Sequence, residues 1–387
     1  MSFVDFKSFG FTTSLMVSLT TPSLTGFIKS DPTYCYKLSN YERLQNFKPK
    51  ITIGLSMSKS FHRVLVTGCT GFLGRQVTNE FLSRGYFVRG TTRALEEEHE
   101  GIKQDFNAGE RFELCTTNLL SDNGWEIAMD GIDAVIHTAS PFSAQEPKDE
   151  QVLIRPAREG TVRVLTHAYN AGIRKFVITS STAAISGATP TKKNQTYTHE
   201  NWTDLQQNVS AYTKSKTLAE KAAWKFIEQH QDAKLTTVNP NVIFGPLHSG
   251  RSGTSLRIIE SIISSSYPGF PKISFAPVDV RDVAWMHAEA LENEHLVGER
   301  LMMSSTPITM PQIARILKAN GWKVTTRTLP NFIVRFMALF IKEARLITSG
   351  LGTTSYYDCS NTQNKTGWVS KSHEEMVLSA AESLRDQ

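Results

Sequence analysis

Arg63-Val-Leu-Val-Thr-Gly-Cys-Thr-Gly-Phe-Leu-Gly74 is the most informative stretch of this sequence, because it reads as a strand, a glycine turn and the start of a helix. Residues 75–84 carry apolar side chains at helical spacing, and residues 86–92 follow as a second β-rich run. A strand, turn and helix in this order form the phosphate-binding element of dinucleotide folds. The stretch therefore predicts nucleotide binding, with a purely structural turn as the alternative.

Each of the three glycines in this turn has a predicted task. The first allows a sharp exit from the strand, the second lets the backbone approach a pyrophosphate, and the third lets the helix pack closely on the sheet. The N-terminus of the helix offers N–H groups and the positive end of its dipole to the phosphates. We expect cofactor contacts at Gly68, Thr70, Gly71, Phe72, Leu73 and Gly74.

The end of the second predicted strand indicates which cofactor is used. It reads Arg89-Gly-Thr-Thr-Arg93, with no acidic residue before Glu96. A site for NAD places Asp or Glu here to hold the ribose 2′-hydroxyl, whereas an arginine accommodates the 2′-phosphate of NADP. Arg93 therefore favours NADP(H), and a solvent-exposed strand end is the alternative for this residue.

Further β-rich runs alternate with helical patterns along the chain, which predicts an α/β fold with a doubly wound parallel sheet of the Rossmann type. Ligands of such sheets bind at the carboxyl ends of the strands, and polar motifs follow three of these runs, at residues 138–140, 179–181 and 239–240. The predicted strands are Phe112–Thr116, Ala134–Thr138, Lys175–Ser180 and Leu235–Asn239, and the later helices include Val152–Ala171 and Tyr212–Ile227.

Tyr212-Thr-Lys-Ser-Lys216 is the one occurrence of the pattern Tyr-x-x-x-Lys in the sequence. Spacing of four residues on a helix puts the phenol and the ammonium on one face, one turn apart. A neighbouring cation favours the phenolate, so we expect a lowered pKa that makes Tyr212 a usable acid and base. An exposed pair on a helix surface is the alternative.

Composition and charge exclude several classes of protein. The 387 residues are 40% hydrophobic and 20% charged, an ordinary globular balance. The four cysteines form no CxxC pair and no metal-binding pattern occurs, so we expect neither a disulfide framework nor a metal site. Residues 1–60 hold seven Lys/Arg against three Asp/Glu, and the remainder is almost neutral, so we expect no nucleic-acid partner. The longest apolar run, Phe332–Ile347, is interrupted by charges, so we expect no membrane span.

Residues 1–60 differ from the rest of the chain: they are rich in Ser and Thr, poor in acids, and without a sustained period. A transit peptide is also Arg-rich, but Arg43 is the one arginine here, and polar residues break Phe11–Leu19, the candidate secretory core. We expect a disordered extension of a cytoplasmic protein, or a reading frame that truly starts at Met57. Targeting to an organelle is the alternative.

From Phe61 to the C-terminus the chain resembles the dihydroflavonol 4-reductase-like branch of the extended short-chain dehydrogenases. That branch includes plant flavonoid and cinnamoyl-CoA reductases and fungal aldehyde reductases. Its glycine turn reads TGxxGxxG, as Thr67–Gly74 does here. The other matching segments are His137-Thr-Ala-Ser-Pro-Phe142, Lys175-Phe-Val-Ile-Thr-Ser-Ser181, Tyr212–Lys216, Asn239-Pro-Asn-Val-Ile-Phe-Gly-Pro246, Val278-Asp-Val-Arg-Asp-Val283 and Thr366-Gly-Trp368.

The resemblance implies an NADP-binding domain over residues 61–244 and a smaller substrate-binding lobe over 245–387, with strands allowed to interleave. It implies a catalytic set of Ser181, Tyr212 and Lys216, with Ser180 as the alternative serine. One departure is that the family usually has an Asp after its third strand, bonded to adenine, where this chain has Asn118. The further cofactor contacts implied are Asn118, Leu119, Thr138, Ala139, Ser140, Tyr212, Lys216, Pro240 and Val242.

The activity implied is reduction of an aldehyde, a ketone or a dihydroflavonol-like carbonyl compound by NADPH, in a protein that is a monomer or a homodimer. Alternatives on the same fold are a nucleotide-sugar epimerase, a 3β-hydroxysteroid dehydrogenase and a non-enzymatic dinucleotide sensor. Arg93 argues against an epimerase, and the tyrosine motif argues against a sensor. Expected substrate contacts are Ser140, Phe142, Ser181 and Tyr212, and further pocket candidates are Thr182, His248 and residues 332–339.

Overall fold

The structure is a computed structural model, and all the residues that it describes belong to the unit Lys59–Gln387. The predicted N-terminal extension and the candidate substrate residue Phe142 lie outside the described residues. The described ranges are 63–94, 96–106, 108–141, 147–187, 194–248, 253, 255–264, 268–339 and 350–385.

A seven-stranded parallel sheet forms the centre of the described part of the chain. Its strands in chain order are β1 (Arg63–Thr67), β2 (Phe87–Thr92), β3 (Phe112–Thr116), β4 (Ala134–His137), β5 (Lys175–Thr179), β7 (Lys234–Pro240) and β12 (Arg300–Met303). The other strands are two-residue segments: β6 (Thr196–Tyr197), β8 (Ile243–Phe244), β9 (Phe270–Pro271), β10 (Ser274–Phe275), β11 (Val278–Asp279), β13 (Ile308–Thr309), β14 (Thr328–Leu329) and β15 (Tyr356–Tyr357).

Helices separate the strands along the chain, as the sequence predicted. They are α1 (Phe72–Ser83), α2 (His99–Gln104), α3 (Trp125–Met129), α4 (Gln151–Asn170), α5 (Ala183–Ser186), α6 (Ala211–Gln229), α7 (Leu256–Ile263), α8 (Val280–Glu292), α9 (Met310–Ala319), α10 (Asn331–Met337), α11 (Ser360–Thr366) and α12 (His373–Arg385). Three-residue 3₁₀ turns lie at Glu96–Glu98, Gly109–Arg111 and Glu294–Leu296.

The strand order places the ligand-binding edge of the sheet. The order is β12-β7-β5-β4-β1-β2-β3, so the chain reverses direction across the sheet between β1 and β4. In open α/β sheets the crevice at the carboxyl ends of the strands beside such a reversal is where ligands bind. The predicted doubly wound, Rossmann-like sheet is confirmed.

Apolar side chains cover both faces of the sheet. Helices α1 and α8 bury Val77, Phe81 and Met286 on one face, and α3, α4 and α6 bury Trp125, Leu165 and other side chains on the opposite face. Complete burial of one such side chain contributes about 1.5–3 kcal/mol. Because both faces are covered, the edge of the sheet is the part that polar ligands can reach.

The C-terminal region contributes both to a smaller core of its own and to the sheet. Its core packs α7, α9 and α12 around Leu256, Ile313 and Met376. The chain returns to the main sheet as β12, which pairs in parallel with β7. Within the described ranges, no helix combines the length and the apolar character needed to cross a bilayer.

Candidate active site

The glycine turn between β1 and α1 has the conformation that a phosphate cradle requires. Gly68 adopts φ +67°, in the left-handed region that favours glycine. The Gly68 and Cys69 N–H groups donate to the Thr91 hydroxyl at 3.3 Å and the Thr91 carbonyl at 3.1 Å. A Cβ on Gly74 would lie 2.1 Å from the Gly68 carbonyl oxygen, so α1 packs against the turn at a distance that excludes any side chain.

The turn also leaves the surface open where a pyrophosphate would bind. Gly71 is exposed, and the nearest atom to a Cβ built there is the Gly68 oxygen at 3.4 Å. Gly71 caps α1 without a side-chain hydrogen bond, and the first turn of α1 holds no acid. The first N–H groups of a helix have no partner inside it, so this end of α1 fits an anion. Thr70, Phe72 and Leu73 are partly exposed around it.

Two arginines, one inside β2 and one just after it, differ sharply in exposure. Arg93 follows the last residue of β2 and is exposed, which leaves its guanidinium available to a ligand at this edge. Arg89 is buried and donates from Nη1 to the carbonyl oxygens of Ile127, Ala128 and Asp130, which gives it a structural task. Of these two arginines, Arg93 is the one whose side chain is exposed beyond the end of β2.

The end of β4 lies directly against the glycine turn. The Thr138 hydroxyl donates to the Thr67 carbonyl at 2.6 Å, and the Ala139 N–H donates to the Thr67 hydroxyl at 3.1 Å. A Cβ on Gly68 would lie 3.0 Å from the Cα of Ala139. Ser140 follows as a partly exposed residue. The structure thus brings the predicted cofactor residues of β1 and β4 together.

His137, at the end of β4, is buried and neutral. Its Nδ1 lies 2.8 Å from the Thr67 hydroxyl, and its Nε2 lies 3.4 Å from the Thr161 hydroxyl. Burial, aided by the positive charge of Lys216, lowers the pKa of His137 to about 3. The imidazole therefore connects the ends of β1 and β4 without carrying a charge.

Two further pairs of predicted cofactor residues lie at the ends of β3 and β7, which are separated by four strands of the sheet. The Oδ1 atom of Asn118 accepts the Leu120 N–H at 2.9 Å, so this exposed side chain shapes its own turn after β3, and Leu119 is partly buried. The Pro240 carbonyl accepts the Thr182 N–H at 3.0 Å, and Val242 is partly buried two residues further on.

Ser181, Tyr212 and Lys216 come together where β5 and α6 meet. Ser181 follows β5 and forms a hydrogen bond with the Tyr212 phenol. Tyr212 lies in the first turn of α6, which Ser210 caps by accepting the Thr213 N–H at 3.1 Å. Lys216 lies one turn further along α6 and is buried.

The pKa values of Tyr212 and Lys216 are both shifted by burial, and the shift of Tyr212 is opposite to the one expected. Burial raises the pKa of Tyr212 above its ordinary value, and the hydrogen bond with Ser181 opposes that rise. The expected lowering of this pKa is therefore wrong for the site as described, because burial disfavours the phenolate. Burial lowers the pKa of Lys216 to about 8, against the opposing negative charge of Glu220.

The two candidate serines have different partners. The Ser180 hydroxyl donates to the carboxylate of Glu220, away from the tyrosine. The Ser181 hydroxyl bonds Tyr212 and accepts the Ala183 N–H at 3.1 Å. The geometry favours Ser181 over Ser180 as the serine that acts with Tyr212.

A cleft of about 360 Å³ opens beside the first turn of α6, which carries Tyr212. Every described side chain that lines it is uncharged, and hydroxyl and amide groups predominate. Sequence reasoning did not find these residues, because they come from five separate segments of the chain. They are Gly187, Asn208, Val209, Ser210, Thr213, Asn241, residues 273–276, Gly350, Thr353, Ser355 and Tyr357.

The other pocket candidates lie outside the described lining of this cleft. Thr182 is buried at the start of α5. His248 is largely exposed, and partial desolvation together with the charges of Arg75 and Arg281 lowers its pKa. Residues 332–339 include most of α10, where Val334 is buried. The residues of 245–387 that do line the cleft come from 273–276 and 350–357.

Comparison with known proteins identifies the family. The sequence profile of the NAD dependent epimerase/dehydratase family matches residues 64–300. The chain belongs to this family. Its resemblance to the extended short-chain dehydrogenases, including the dihydroflavonol 4-reductase-like branch, is confirmed.

Similar members of the family are reductases. A cinnamoyl-CoA reductase of Medicago truncatula is 33% identical over 272 residues, which cover 68% of this chain and 82% of that protein. An NADPH-dependent methylglyoxal reductase of Saccharomyces cerevisiae is 31% identical over 279 residues, with coverage of 66% and 81%. A Candida albicans protein crystallised with NADPH has a TM-score of 0.70 at 27% identity, over 84% of this chain and 98% of the other. These relatives agree with the oxidoreductase that the sequence predicted.

Proposed function

We propose that this protein is an NADPH-dependent reductase of aldehydes or ketones in which Ser181, Tyr212 and Lys216 handle the proton. The observation that carries the proposal is the hydrogen bond between Ser181 and Tyr212, with Lys216 one turn away, at the carboxyl edge of the sheet. Membership of the family and the reductases among its similar relatives support it.

The chain holds the groups that binding of the cofactor needs. The glycine turn and the uncapped N-terminus of α1 would hold the pyrophosphate, and Arg93 would hold the 2′-phosphate through paired hydrogen bonds. Thr138 and Ala139 form the adjoining wall. When bound, a reduced nicotinamide cofactor supplies the hydride for a carbonyl carbon.

The described residues supply the proton for the carbonyl oxygen. The raised pKa of Tyr212 keeps its phenol protonated at neutral pH, so it has a proton to give. Ser181 and Tyr212 donate hydrogen bonds to the substrate oxygen, and Tyr212 transfers its proton as negative charge develops there. The Lys216 ammonium and the Ser181 hydroxyl then stabilise the phenolate. General acid catalysis of this kind contributes about 10²–10⁴-fold in rate.

The cleft beside α6 is the proposed substrate pocket. The described side chains that line it are uncharged and suit a neutral carbonyl compound, since among them a charged ligand would lose water without gaining an ionic partner. A nucleotide sugar, whose diphosphate needs cations, fits this lining less well.

A direct assay tests the proposal. The purified full-length protein is mixed with NADPH and a panel of neutral aldehydes and ketones, and the absorbance of NADPH is followed. We expect consumption with at least one class of carbonyl compound, and faster consumption with NADPH than with NADH. If no panel member is reduced while a nucleotide sugar is epimerised or a hydroxysteroid is oxidised, the proposal is wrong.

A further inference from the structure

Glu220 is a buried carboxylate on α6, one turn beyond Lys216 and two turns beyond Tyr212. It is 1% exposed, and donors reach it from three other parts of the chain. Its Oε1 accepts Arg300 Nε at 2.6 Å, and its Oε2 accepts the Ser180 hydroxyl and Asn239 Nδ2, the latter at 2.8 Å. A buried charge requires such partners, because an unpaired one is costly.

These partners connect Glu220 to the strand ends that hold Ser181. Ser180 precedes Ser181 at the end of β5, and Asn239 precedes Pro240 in β7. The Pro240 carbonyl lies 3.5 Å from the Ser181 hydroxyl, and Asn239 Nδ2 lies 3.4 Å from the Ser181 carbonyl. One carboxylate thus joins the helix of Tyr212 and Lys216 to both strands that surround Ser181.

We propose that Glu220 is a positioning residue that fixes Ser181 against Tyr212 and supplies the negative charge facing Lys216. The inference rests on the proposed function and deepens it. The cluster offers no free surface to a ligand, so its contribution is made through the neighbouring residues. Glu220 acts on the serine through Ser180 and Asn239, and on the lysine through charge.

The charged and titratable groups around Lys216 define what loss of Glu220 would do. Tyr212 lies one turn before Lys216 on α6, and Glu220 lies one turn after it. His137, which is neutral, faces Lys216 from the end of β4, close enough for the two to interact electrostatically. Arg300 is paired with Glu220 on the side of β12. Glu220 raises the pKa of Lys216 against burial, so removing its charge would deprotonate Lys216 at lower pH.

Glu220→Gln tests the inference, because it keeps the shape and removes the charge. We expect kcat for carbonyl reduction to fall at least about tenfold, with the KM for NADPH changed less than about twofold. The alkaline limb of the kcat profile should move down by about one pH unit, a shift that a structural role alone would not produce. Glu228→Gln, the same change at an exposed position of α6, should leave all three quantities unchanged.

A folded Glu220→Gln protein with the wild-type kcat and alkaline limb would overturn the inference. If this variant does not fold, Ser180→Ala decides instead, since it removes one donor to Glu220 and no charge. Loss of one hydrogen bond to a buried carboxylate destabilises the fold, so the melting temperature should fall while the protein stays folded at the assay temperature. Under those conditions we expect Ser180→Ala to lower kcat by about three- to tenfold, and the wild-type kcat would overturn the inference. The proposed function fails separately, if Tyr212→Phe keeps wild-type activity.

Discussion

Replacing Gly74 with alanine tests how closely α1 must approach the glycine turn. The added Cβ would lie 2.1 Å from the Gly68 carbonyl oxygen, 2.9 Å from the Gly68 carbonyl carbon and 3.0 Å from the Thr138 hydroxyl. Ordinary contact begins near 3.4 Å, so the backbone of the turn must retreat by more than about 1 Å. No side-chain rotation relieves a clash with a backbone atom.

The expected cost follows from this overlap. Overpacking costs about 1–3 kcal/mol, whereas alanine gains up to about 1 kcal/mol over glycine in a helix. We therefore expect Gly74→Ala to lower the free energy of unfolding, measured by urea denaturation, by about 1–2 kcal/mol. We also expect it to weaken NADPH, measured by fluorescence titration, because the displaced turn no longer presents its N–H groups to the phosphates.

Gly71→Ala is the matched control in the same turn. Its Cβ would meet the Gly68 oxygen at 3.4 Å, and its φ of −75° is one that alanine adopts. We expect nearly wild-type stability but NADPH binding weakened at least about tenfold, since the methyl group occupies the surface that faces the pyrophosphate. A stable Gly74→Ala protein that binds NADPH normally would refute the close approach, and normal binding by Gly71→Ala would refute the pyrophosphate site.

Three further predictions concern the cofactor, the cleft and the pH. Arg93→Ala should raise the KM for NADPH at least about tenfold and that for NADH little, because charge-assisted hydrogen bonds contribute about 1.5–3 kcal/mol; equal losses would contradict a 2′-phosphate contact. Tyr357→Phe should change the KM for the carbonyl substrate but not for NADPH, since Tyr357 lines the cleft, whereas Tyr356→Phe should change neither; an unchanged Tyr357→Phe would contradict the cleft as substrate pocket. Burial lowers the pKa of His137 to about 3 and of His287 to about 4, from 6.5, so between pH 6.5 and 4 the unfolded chain binds protons that the folded protein does not. As the pH is lowered through this range, the free energy of unfolding should decrease by about 1.4 kcal/mol per pH unit for each histidine. Urea denaturation that shows no such decrease would contradict the burial of the two histidines.

Local patterns predicted the elements that carry the site. The strand expected before the glycine turn spans Arg63–Thr67, and the helix of Tyr212, expected over 212–227, spans Ala211–Gln229. Patterns within a few residues indicate both elements: a glycine turn marks the end of the strand, and helical spacing marks the helix. The parallel sheet followed from the alternation of strands and helices, because parallel strands require crossover connections.

Contacts between distant residues were beyond sequence reasoning. Glu220 pairs with Arg300, 80 positions away, and no local pattern indicates that pairing. The spacing of four residues between Lys216 and Glu220 does place the two side chains on one face of a helix, and this local signal could have pointed to Glu220. The cleft lining escaped prediction for the same reason, since Phe275 and Tyr357 approach α6 through tertiary packing. The direction of the Tyr212 pKa shift depends on burial, which the spacing of tyrosine and lysine does not report.

The most direct measurement is turnover and cofactor affinity of Tyr212→Phe, a change that removes one hydroxyl and leaves the ring in place. With a carbonyl substrate that the wild-type protein reduces, the account predicts that kcat falls at least about 10²-fold while the Kd for NADPH changes less than about twofold. A variant that reduces the same substrate at the wild-type rate would contradict the assignment of Tyr212 as the proton donor.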